Sequence, residues 1–299
     1  MDLSTIDLSR VPLLLAMLST IQVAAYSLMT VIKWRWLARL GVSEEDRRLI
    51  FSARRSGFDL EQLLARYDEK ALRMADSFCR KGHHVFTGLL YILVVERVIA
   101  DPGLMVVTIV LQGTINLLML LAVYRSDRVF GPGGLIFGGV ARIRDGAAAR
   151  ANLVVANISL LAQYLVVSAI ALTYLLPMTG DALLIDLVSF AYLPMVIGDA
   201  AGEIIGGTWG RQNIRVRGLG EINKKSWLGT AAVMLGSFFA VLNHIVSTGL
   251  AWEFVGLAAV ISIVTMFVEL AAPRSTDNFA IPFANLLCLL AWFSFFGVP

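Results

Sequence analysis

The chain has 299 residues, of which 58% are apolar and 16% charged, whereas about 25% are charged in soluble domains. The apolar residues come in long runs, which excludes an ordinary soluble globule, a disordered chain and a fibrous protein. The formal net charge of +3 suits an anionic lipid or an anionic substrate, and it is too small to indicate nucleic acid as a partner. Two cysteines, Cys79 and Cys288, cannot make a disulfide framework or a cysteine-rich zinc site.

Eight apolar stretches are long enough, or nearly so, to cross a bilayer as helices. They are residues 11–32, 84–100, 103–124, 151–176, 182–205, 227–248, 252–272 and 280–297. The sequence therefore predicts an all-α polytopic integral membrane protein with about eight transmembrane helices. The first stretch lacks a basic segment before it and is longer than the core of a usual signal peptide, so we interpret it as a retained span.

The segment after the first span is predicted to form helices of its own. Ser43 with Asp46 is typical of a helix start, and Gly57 is expected to break that helix. The apolar residues that follow recur at three- and four-residue steps, which predicts an amphipathic helix. They are Leu60, Leu63, Leu64, Tyr67, Ala71, Met74, Ala75 and Phe78. We expect this helix to lie on the membrane or on other loops, with docking of a partner as the alternative.

The basic residues predict the orientation of the spans. Of the 25 lysines and arginines, 23 lie in alternate loops, within residues 33–81, 125–150, 206–226 and at Arg274. These loops are predicted to be cytoplasmic, with both termini on the other side. The expected location is a cell inner membrane, or an ER-type or plastid-type membrane in a eukaryote.

Four polar clusters fall at the predicted cytoplasmic ends of spans. They are residues 80–84, residues 198–210, residues 223–226, and Glu269 with residues 273–278. In the second cluster, Asp199 and Glu203 are one helical turn apart, so their carboxylates would repel unless a cation such as Mg²⁺ lies between them. Glycines recur there every fourth residue, at 198, 202, 206 and 210, which is also the pattern of a close helix–helix contact.

The third and fourth clusters are also ambiguous when each is taken alone. Lys224, Lys225 and Ser226 precede the sixth span, where lysines and free N–H groups favour phosphate, although a basic loop flank is the alternative. Asp277 and Asn278 could cap a helix, but Glu269 could not. Together the four clusters supply acids for a metal, lysines for phosphates, and a histidine or aspartate for proton transfer. Phosphoryl transfer needs these groups, and their position suggests a soluble donor that meets a lipid acceptor.

The ordered set of motifs resembles the polyprenol-kinase family, which includes dolichol, phytol and farnesol kinases and a CTP-dependent diacylglycerol kinase. The matching positions are Arg80-Lys81, His84, Gly88, Gly198-Asp199, Glu203, Gly206, Gly210, Lys224-Lys225-Ser226, Gly229-Thr230, Val268-Glu269, Pro273, Asp277-Asn278 and Pro282. The resemblance covers roughly residues 80–297. Two positions depart from the family pattern: Gly202 stands where Ala is common, and Leu228 stands where Glu is common. The chain is accordingly divided into residues 1–78, a transmembrane helix with amphipathic helices, and residues 79–299, a polyprenol-kinase-like catalytic domain.

The resemblance implies a membrane kinase that uses CTP and Mg²⁺, or another divalent cation, to phosphorylate a lipid alcohol. A polyprenol, a phytol-like isoprenoid and a diacylglycerol are all open as acceptors, and oligomeric state is not predicted. The implied metal ligands are Asp199, Glu203, Asp277 and Glu269. The implied nucleotide-binding residues are Gly206, Gly207, Gly210, Lys224, Lys225, Ser226, Gly229 and Asn278, with Arg80 and Lys81 for donor phosphates or a lipid headgroup. The implied catalytic residues are Asp199, Lys225 and His84, which would take the hydroxyl proton, with Asp277 as the alternative base.

Two other functions stay open at this point. A phosphatidate cytidylyltransferase also uses CTP, but that family usually carries a Pro-Gly-His-Gly-Gly run followed by Asp-Arg, which this chain lacks. A transporter or a non-catalytic lipid-binding protein is the second alternative, and the departure at Leu228 is its best support. A transporter would more naturally place its charges near the bilayer midplane and would show an inverted repeat. The sequence shows no clear repeat.

Polar residues outside the clusters are interpreted as structural. Asp186, His244 and Glu253 are expected to pack or to form hydrogen bonds near the outer ends of their spans. Hydrogen bonds between helices are expected mid-span, with a lipid groove as the alternative, for Gln112, Asn116, Asn157 and Gln163. The run at residues 131–134, Gly-Pro-Gly-Gly, is expected to be a loop.

Overall fold

The structure is a computed structural model that describes residues 7–52, 58–99, 101–123, 132–211, 214–217, 224–273 and 275–297. Eight helices in this part of the chain are long and apolar enough to cross a membrane. They are Leu8–Arg39, Glu69–Ile99, Pro102–Leu121, Ala149–Asp181, Leu183–Thr208, Trp227–Thr248, Phe254–Ala271 and Asp277–Phe296. The predicted all-α, multi-pass membrane architecture is confirmed.

The secondary-structure elements, in chain order, are twelve α-helices and two short strands within the described residues. They are α1 (Val11–Arg39), α2 (Glu44–Phe51), α3 (Leu60–Arg66), α4 (Glu69–Val94), α5 (Pro102–Val123), α6 (Pro132–Val140), α7 (Ala149–Ile170), α8 (Leu176–Leu193), α9 (Asp199–Thr208), β1 (Ile214–Arg215), β2 (Lys224–Lys225), α10 (Trp227–Thr248), α11 (Phe254–Ala271) and α12 (Asp277–Phe296). Wider π-helical turns follow α4, α7 and α8. The fifth span, Leu183–Thr208, therefore consists of the second part of α8 joined to α9 through the turn Pro194–Gly198. Gly180, at φ +75°, turns the chain between the fourth and fifth spans, a conformation that favours glycine.

The first helix after the first span begins where the sequence predicts, but the amphipathic helix that follows has different bounds from those predicted. Ser43 caps α2, and its Oγ accepts the Asp46 N–H at 3.1 Å. The amphipathic helix, however, is divided at Tyr67, and its second part is continuous with the second span as α4. The Asp68 side chain accepts the Lys70 N–H and so starts this long helix. The predicted division at residue 78 falls inside α4, and the two-domain description stays a prediction.

The apolar faces of α2, α3 and the start of α4 are buried against other parts of the protein. One cluster joins them to the end of α1 and to the segment after α6. Its buried members are Leu37, Val42, Ile50, Phe51, Leu60, Leu63, Leu72, Ala75 and Ile143. This arrangement agrees with the interpretation that the amphipathic segment lies on the other loops.

Helix α6 corrects the expectation of a loop at residues 131–134. The chain is helical from Pro132, and residue 131 lies outside the described residues. Proline is well tolerated in the first turn of a helix, where its missing N–H has no partner in any case. The small residues let α6 pack closely, because a Cβ on Gly138 would meet the Phe51 ring at 2.2 Å.

A buried lysine connects α1, α4 and the segment after α6. Lys33 is 1% exposed, and its Nζ lies 2.7 Å from Asp76 Oδ1 and donates to the Ala141 carbonyl at 2.7 Å. The other Asp76 oxygen accepts the backbone N–H of Ile143 at 2.5 Å. These contacts fix residues 141–143, and therefore Arg142, over the N-terminal part of α4.

We expect Lys33→Met to lower the free energy of unfolding by about 3–5 kcal/mol, because it leaves the buried Asp76 carboxylate without its cation. The double variant Lys33→Met/Asp76→Asn should recover most of this loss, since the amide oxygen can still accept the Ile143 N–H. Unfolding in mixed detergent–SDS micelles measures both. The control is Lys70→Met on the exposed face of α4, expected within about 0.5 kcal/mol of wild type. Equal effects of Lys33→Met and Lys70→Met would contradict the role of this pair.

Candidate active site

A cleft lies where α9, α10, α11 and α12 meet the basic loops. It contains about 650 Å³ of empty space, including the part that opens to solvent. Its lining comes from three of the four predicted clusters and from residues 142–144. The lining residues are Ser77, Arg142, Arg144, Asp199, Gly202, Glu203, Gly206, Gly207, Val216, Lys224, Lys225, Ser226, Gly229, Thr230, Glu269, Pro273 and Asp277. Segments that are far apart in sequence therefore converge on one site, as the sequence predicted.

The first cluster lies directly behind this cleft and pairs with the acids of α9. Lys81 is 1% exposed and binds Asp199, and its Nζ lies 3.7 Å from Glu203 Oε2. Arg80 binds both oxygens of Glu203, with Nε donating to Oε1 at 3.0 Å. Arg142 Nη2 donates to Glu203 Oε2 at 2.9 Å. The cations that compensate the two α9 acids here are side chains, and Arg80 and Lys81 do not line the cleft in the described structure.

The break before α9 positions a histidine beside this network. The wide turn Pro194–Gly198 interrupts the regular hydrogen bonds of the fifth span, which leaves a carbonyl available at Met195. His84 on α4 lies with its Nε2 3.0 Å from that oxygen. His84 lines a second cavity that adjoins the cleft, together with Arg80 and Asn278. The sequence predicted Asn278 at the nucleotide site, but its side chain donates to the Ala156 carbonyl at 3.3 Å and faces that second cavity.

The lysine pair lies on a short hairpin at the mouth of the cleft. β2 pairs with β1 in antiparallel register, with Ile214 opposite Lys225. Lys225 Nζ lies 2.6 Å from Glu269 Oε1 and also binds the Glu269 backbone carbonyl, whereas Lys224 is exposed. Ser226 caps α10 and is 2% exposed, and its Oγ accepts the Gly229 N–H at 3.1 Å. The predicted helix start after the lysines is therefore confirmed, and the Ser226 oxygen that was expected to bind phosphate serves as the helix cap.

Glycines hold α9 against α10 at very short range. A Cβ on Gly206 would lie 2.8 Å from the Gly229 Cα, and one on Gly202 would lie 2.3 Å from Val233 Cγ2. One on Gly210 would lie 2.1 Å from Ser226 Oγ. The four-residue glycine spacing thus serves helix packing, the alternative that the sequence left open. Gly206 and Gly207 also line the cleft, as predicted for the nucleotide site, whereas Gly210 packs against Ser226.

Four acids line the cleft, and they differ in how far their oxygens are engaged. Both oxygens of Glu203 bind guanidinium groups, and one oxygen each of Asp199 and Glu269 binds a lysine. Asp277 Oδ1 accepts the backbone N–H of Asn278, and among the described residues no cationic side chain pairs with this carboxylate. The carboxylate oxygens left for a divalent cation are those of Asp277 and the unpaired oxygens of Asp199 and Glu269, because Glu203 would first have to give up an arginine. As described, these three acids do not place their ligand atoms within 4.8 Å of one another, so the side chains would have to move to share one ion.

Two arginines of this site were not singled out by sequence reasoning. Arg142 and Arg144 line the cleft together with the lysines. Burial, followed by the positive charges of Arg142 and Arg73, lowers the pKa of Arg144 to about 10, so it stays a cation at neutral pH. The sequence used these bases only to orient the spans. Their role depends on the contact of the neighbouring Ile143 with Asp76, which no local motif indicates.

A second group of titratable residues lies at the far end of α8 and α10. His244 has its Nδ1 3.6 Å from Glu96 Oε1 and its Nε2 3.4 Å from Asp186 Oδ1. One ligand atom from each of these three residues lies within 4.8 Å of the other two, so a metal ion is also possible there. Ser189 Oγ donates to Glu96 at 2.5 Å. Asp186 and His244 were expected to form hydrogen bonds at this end, and Glu96 joins them.

Comparison of the chain with protein-family models, with curated proteins and with solved structures gives no match.

The close approach of α9 and α10 predicts that Gly206→Ala is harmful. The added methyl group meets backbone at 2.8 Å, where nothing can rotate away, so we expect a loss of about 1–3 kcal/mol in unfolding free energy and a distorted cleft. The matched control is Gly256→Ala on α11, whose new Cβ meets only the edge of the Trp292 ring at 3.3 Å. Thermal unfolding in detergent compares the two variants. Equal stability of both would show that α9 and α10 are not packed as described.

Proposed function

We propose that this protein is a membrane phosphotransferase that moves the γ-phosphoryl group of CTP to the hydroxyl of a lipid alcohol. The observation that carries the proposal is the single cleft in which Asp199, Lys224, Lys225, Glu269 and Asp277 meet. Phosphoryl transfer depends on positioning and on neutralisation of phosphate charge, with little covalent work by the protein. CTP, as opposed to another nucleoside triphosphate, is proposed from the resemblance to the polyprenol-kinase family.

The basic side chains of the cleft are arranged to bind a polyphosphate. Four cations and four acids line it, so the site is charged but close to neutral before a ligand enters. Lys224 is exposed, and Arg142 and Arg144 reach the cleft from a different segment of the chain. Fixed cations around an anionic group stabilise the charge that builds up in the transition state. Lys225 is held by Glu269 and would reach the transferring group from the hairpin.

The carboxylates would hold the divalent cation that such donors carry. Asp277, Asp199 and Glu269 are the proposed ligands, and Glu203 is proposed to fix Arg80 and Arg142. When bound, the cation would offset the negative charge of the donor phosphates.

His84 is proposed as the base that takes the acceptor proton. A carbonyl can only accept, so the contact of Nε2 with the Met195 oxygen assigns the ring proton to Nε2 and leaves Nδ1 as an acceptor. The acceptor oxygen forms a bond to the γ-phosphorus as its proton passes to Nδ1, and the bond from that phosphorus to the β,γ-bridging oxygen breaks. CDP leaves with the electron pair of that bond.

The site is proposed to face the cytoplasm. The cleft lies at the end of the bundle that carries the basic loops, and such loops are preferentially retained in the cytoplasm. CTP would then reach the cleft from the cytosol, and the lipid would reach it from the adjoining leaflet.

The proposal predicts that purified protein with Mg²⁺ and CTP transfers the γ-label to a lipid alcohol. A panel of a polyprenol, phytol and a diacylglycerol identifies acceptors by thin-layer chromatography. Asp199→Asn should lower turnover at least about 100-fold, because it removes a charge at the metal but keeps an oxygen for Lys81. The matched control is Glu253→Gln at the exposed far end, which should match wild type.

The same assay separates the rival functions. A cytidylyltransferase given phosphatidate would put the γ-label in pyrophosphate and the cytidine in lipid. A transporter or binding protein would show no transfer with any lipid alcohol. Full activity of a correctly inserted Asp199→Asn variant would contradict the proposed metal role.

We expect His84→Gln to lower kcat by about 10²–10⁴-fold with little change in the KM for CTP, because the nucleotide does not depend on this base. The acid limb of the pH–rate profile should disappear together with the histidine. The alternative base is tested by Asp277→Asn on the same preparation. If Asp277→Asn removes the acid limb and His84→Gln keeps it, Asp277 is the base.

A further inference from the structure

A second cavity lies inside the helix bundle, between α1, α4, α5, α7 and α12. It contains about 850 Å³ of empty space, including its open part. A smaller cavity shares Gln22, Tyr26, Asn116, Leu153 and Asn157 with it and extends it along α5 to Met119 and Leu120. The two cavities share a wall and together extend from Arg80, at the edge of the cleft, to the last turn of α5. We call this the intramembrane cavity.

Polar and apolar side chains line the intramembrane cavity in nearly equal measure. Gln22 Oε1 accepts from the Tyr91 hydroxyl at 2.9 Å and from Gln112 Nε2 at 3.3 Å, so Gln112 makes the predicted bond between helices through α1. Within its own helix, Gln112 also donates to Asn116 at 2.9 Å. Polar groups at membrane depth are costly and mark functional sites when they face a cavity. Asn116 and Asn157 do face this cavity, which favours the lipid-groove alternative for these two residues.

Several of these polar groups have hydrogen-bonding capacity to spare. The Tyr26 hydroxyl accepts from Gln22 Nε2 at 3.2 Å and keeps its own proton to donate. His83 stacks on Tyr26 with ring centroids 4.0 Å apart, and it is 9% exposed. Its buried Nε2 has no hydrogen-bond partner among the described residues. A buried polar atom without a partner is costly, and a ligand oxygen or N–H in the cavity would relieve that cost.

The intramembrane cavity meets the cleft at two points. Arg80 lines the cavity, and its guanidinium binds Glu203, which lines the cleft. Asn278 lines the cavity, and its neighbour Asp277 lines the cleft. His84, the proposed base, is part of the cavity wall, one helical turn from Arg80 on α4. A hydroxyl held in the cavity near His84 would therefore lie at the end of the cavity that adjoins the cleft.

We infer that the intramembrane cavity binds the acceptor, and that the acceptor is a diacylglycerol-type lipid whose ester groups lie close to its hydroxyl. The inference rests on the proposed function for the role of the hydroxyl. A polyprenol or a phytol has one polar group, its hydroxyl, and an entirely apolar chain beyond it. The Tyr26 hydroxyl, which accepts from Gln22 but donates to no described residue, and His83 Nε2, which has no partner among the described residues, would then face hydrocarbon. The ester oxygens of a diacylglycerol can accept from the Tyr26 hydroxyl and from His83 Nε2 when that atom carries the ring proton.

The test is photo-crosslinking without nucleotide, so that binding is measured apart from catalysis. The wild-type protein in lipid nanodiscs is incubated with a diazirine-labelled diacylglycerol, irradiated and mapped by peptide mass spectrometry. We expect adducts on the cavity residues of α1, α4, α5 and α7. Unlabelled dioleoylglycerol should compete at least about 10-fold better than phytol or a polyprenol of matched concentration.

Two variants and one control test the polar groups of the cavity. Tyr26→Phe and Asn116→Leu each remove donors without a change in charge, and each should weaken competition by about fivefold, which is about 1 kcal/mol. The control is Thr114→Val on the same helix as Asn116, since the Thr114 hydroxyl bonds only to its own helix at Val110 O, at 2.9 Å. Thr114→Val should match wild type.

Each outcome decides between the two proposals. Adducts confined to lipid-facing residues of α5 such as Leu118, equal competition by phytol, or equal behaviour of Asn116→Leu and Thr114→Val would overturn the cavity proposal. Phosphate transfer measured on the same nanodiscs is scored separately. Phosphate transfer without labelling of the cavity would support the kinase activity and contradict the cavity as the acceptor site. Specific labelling of the cavity without phosphate transfer from any nucleoside triphosphate would support the lipid-binding cavity and contradict the proposed kinase activity.

Discussion

Pairing of buried charge is the constraint on which this structure depends. Lys81 and Asp199 lie within membrane-spanning helices and are almost fully buried, so each would be strongly destabilising without the other. The pair fixes α4 against α9, and Arg80 and Arg142 extend it through Glu203. Because a guanidinium that binds both oxygens of a carboxylate tolerates little rotation, the network sets the relative register of the two helices. The cleft and the intramembrane cavity lie on either side of this network, and the network helps to set the shape of both because it fixes the helices that line them.

The remaining contacts position the groups that the network does not reach. Lys33 and Asp76 hold the segment that carries Arg142 and Arg144, and glycines bring α10 close enough for the Ser226 cap and the lysine hairpin to face α9. Lys225 is in turn held by Glu269 of α11. The cationic groups of the cleft thus come from two segments, residues 142–144 and strand β2, which are held by different parts of the bundle. A ligand with several negative charges would contact all of these parts at once, which is the geometry that polyphosphate binding requires.

Much of the fold and part of the site could be predicted from the sequence. The membrane spans could be predicted because an apolar run of about 20 residues rarely occurs except in a membrane-spanning helix. The asymmetry of the basic residues then predicted that the glycine, acid and lysine motifs lie at the same end of the helix bundle. The partners of those motifs could not be predicted. The spacing of Asp199 and Glu203 predicts that a positive charge lies near them. It does not predict whether a metal ion or the side chains of α4 supply that charge. Arg144 was missed for the same reason, since its place depends on a contact between residues 67 positions apart, Ile143 and Asp76. The continuity of α4 was missed because the sequence changes from an amphipathic pattern to an apolar run. The backbone hydrogen bonds of a helix continue across such a change in composition.

The two carboxylates of α9 therefore have different physical roles although they lie on one helix face. Glu203 is bound on both oxygens by two arginines and resembles the acid of a structural ion network. Asp199 keeps one oxygen that no lysine occupies, and it lines the cleft beside Glu269 and Asp277. Loss of Glu203 would free Arg80 at the wall of the intramembrane cavity and Arg142 in the cleft, so it would alter both binding sites through their shared boundary. Loss of Asp199 would remove a ligand from the cleft and expose Lys81 as an unpaired buried charge. A change of Asp199 to asparagine separates these two consequences, because the amide oxygen can still accept from Lys81 while the negative charge is gone.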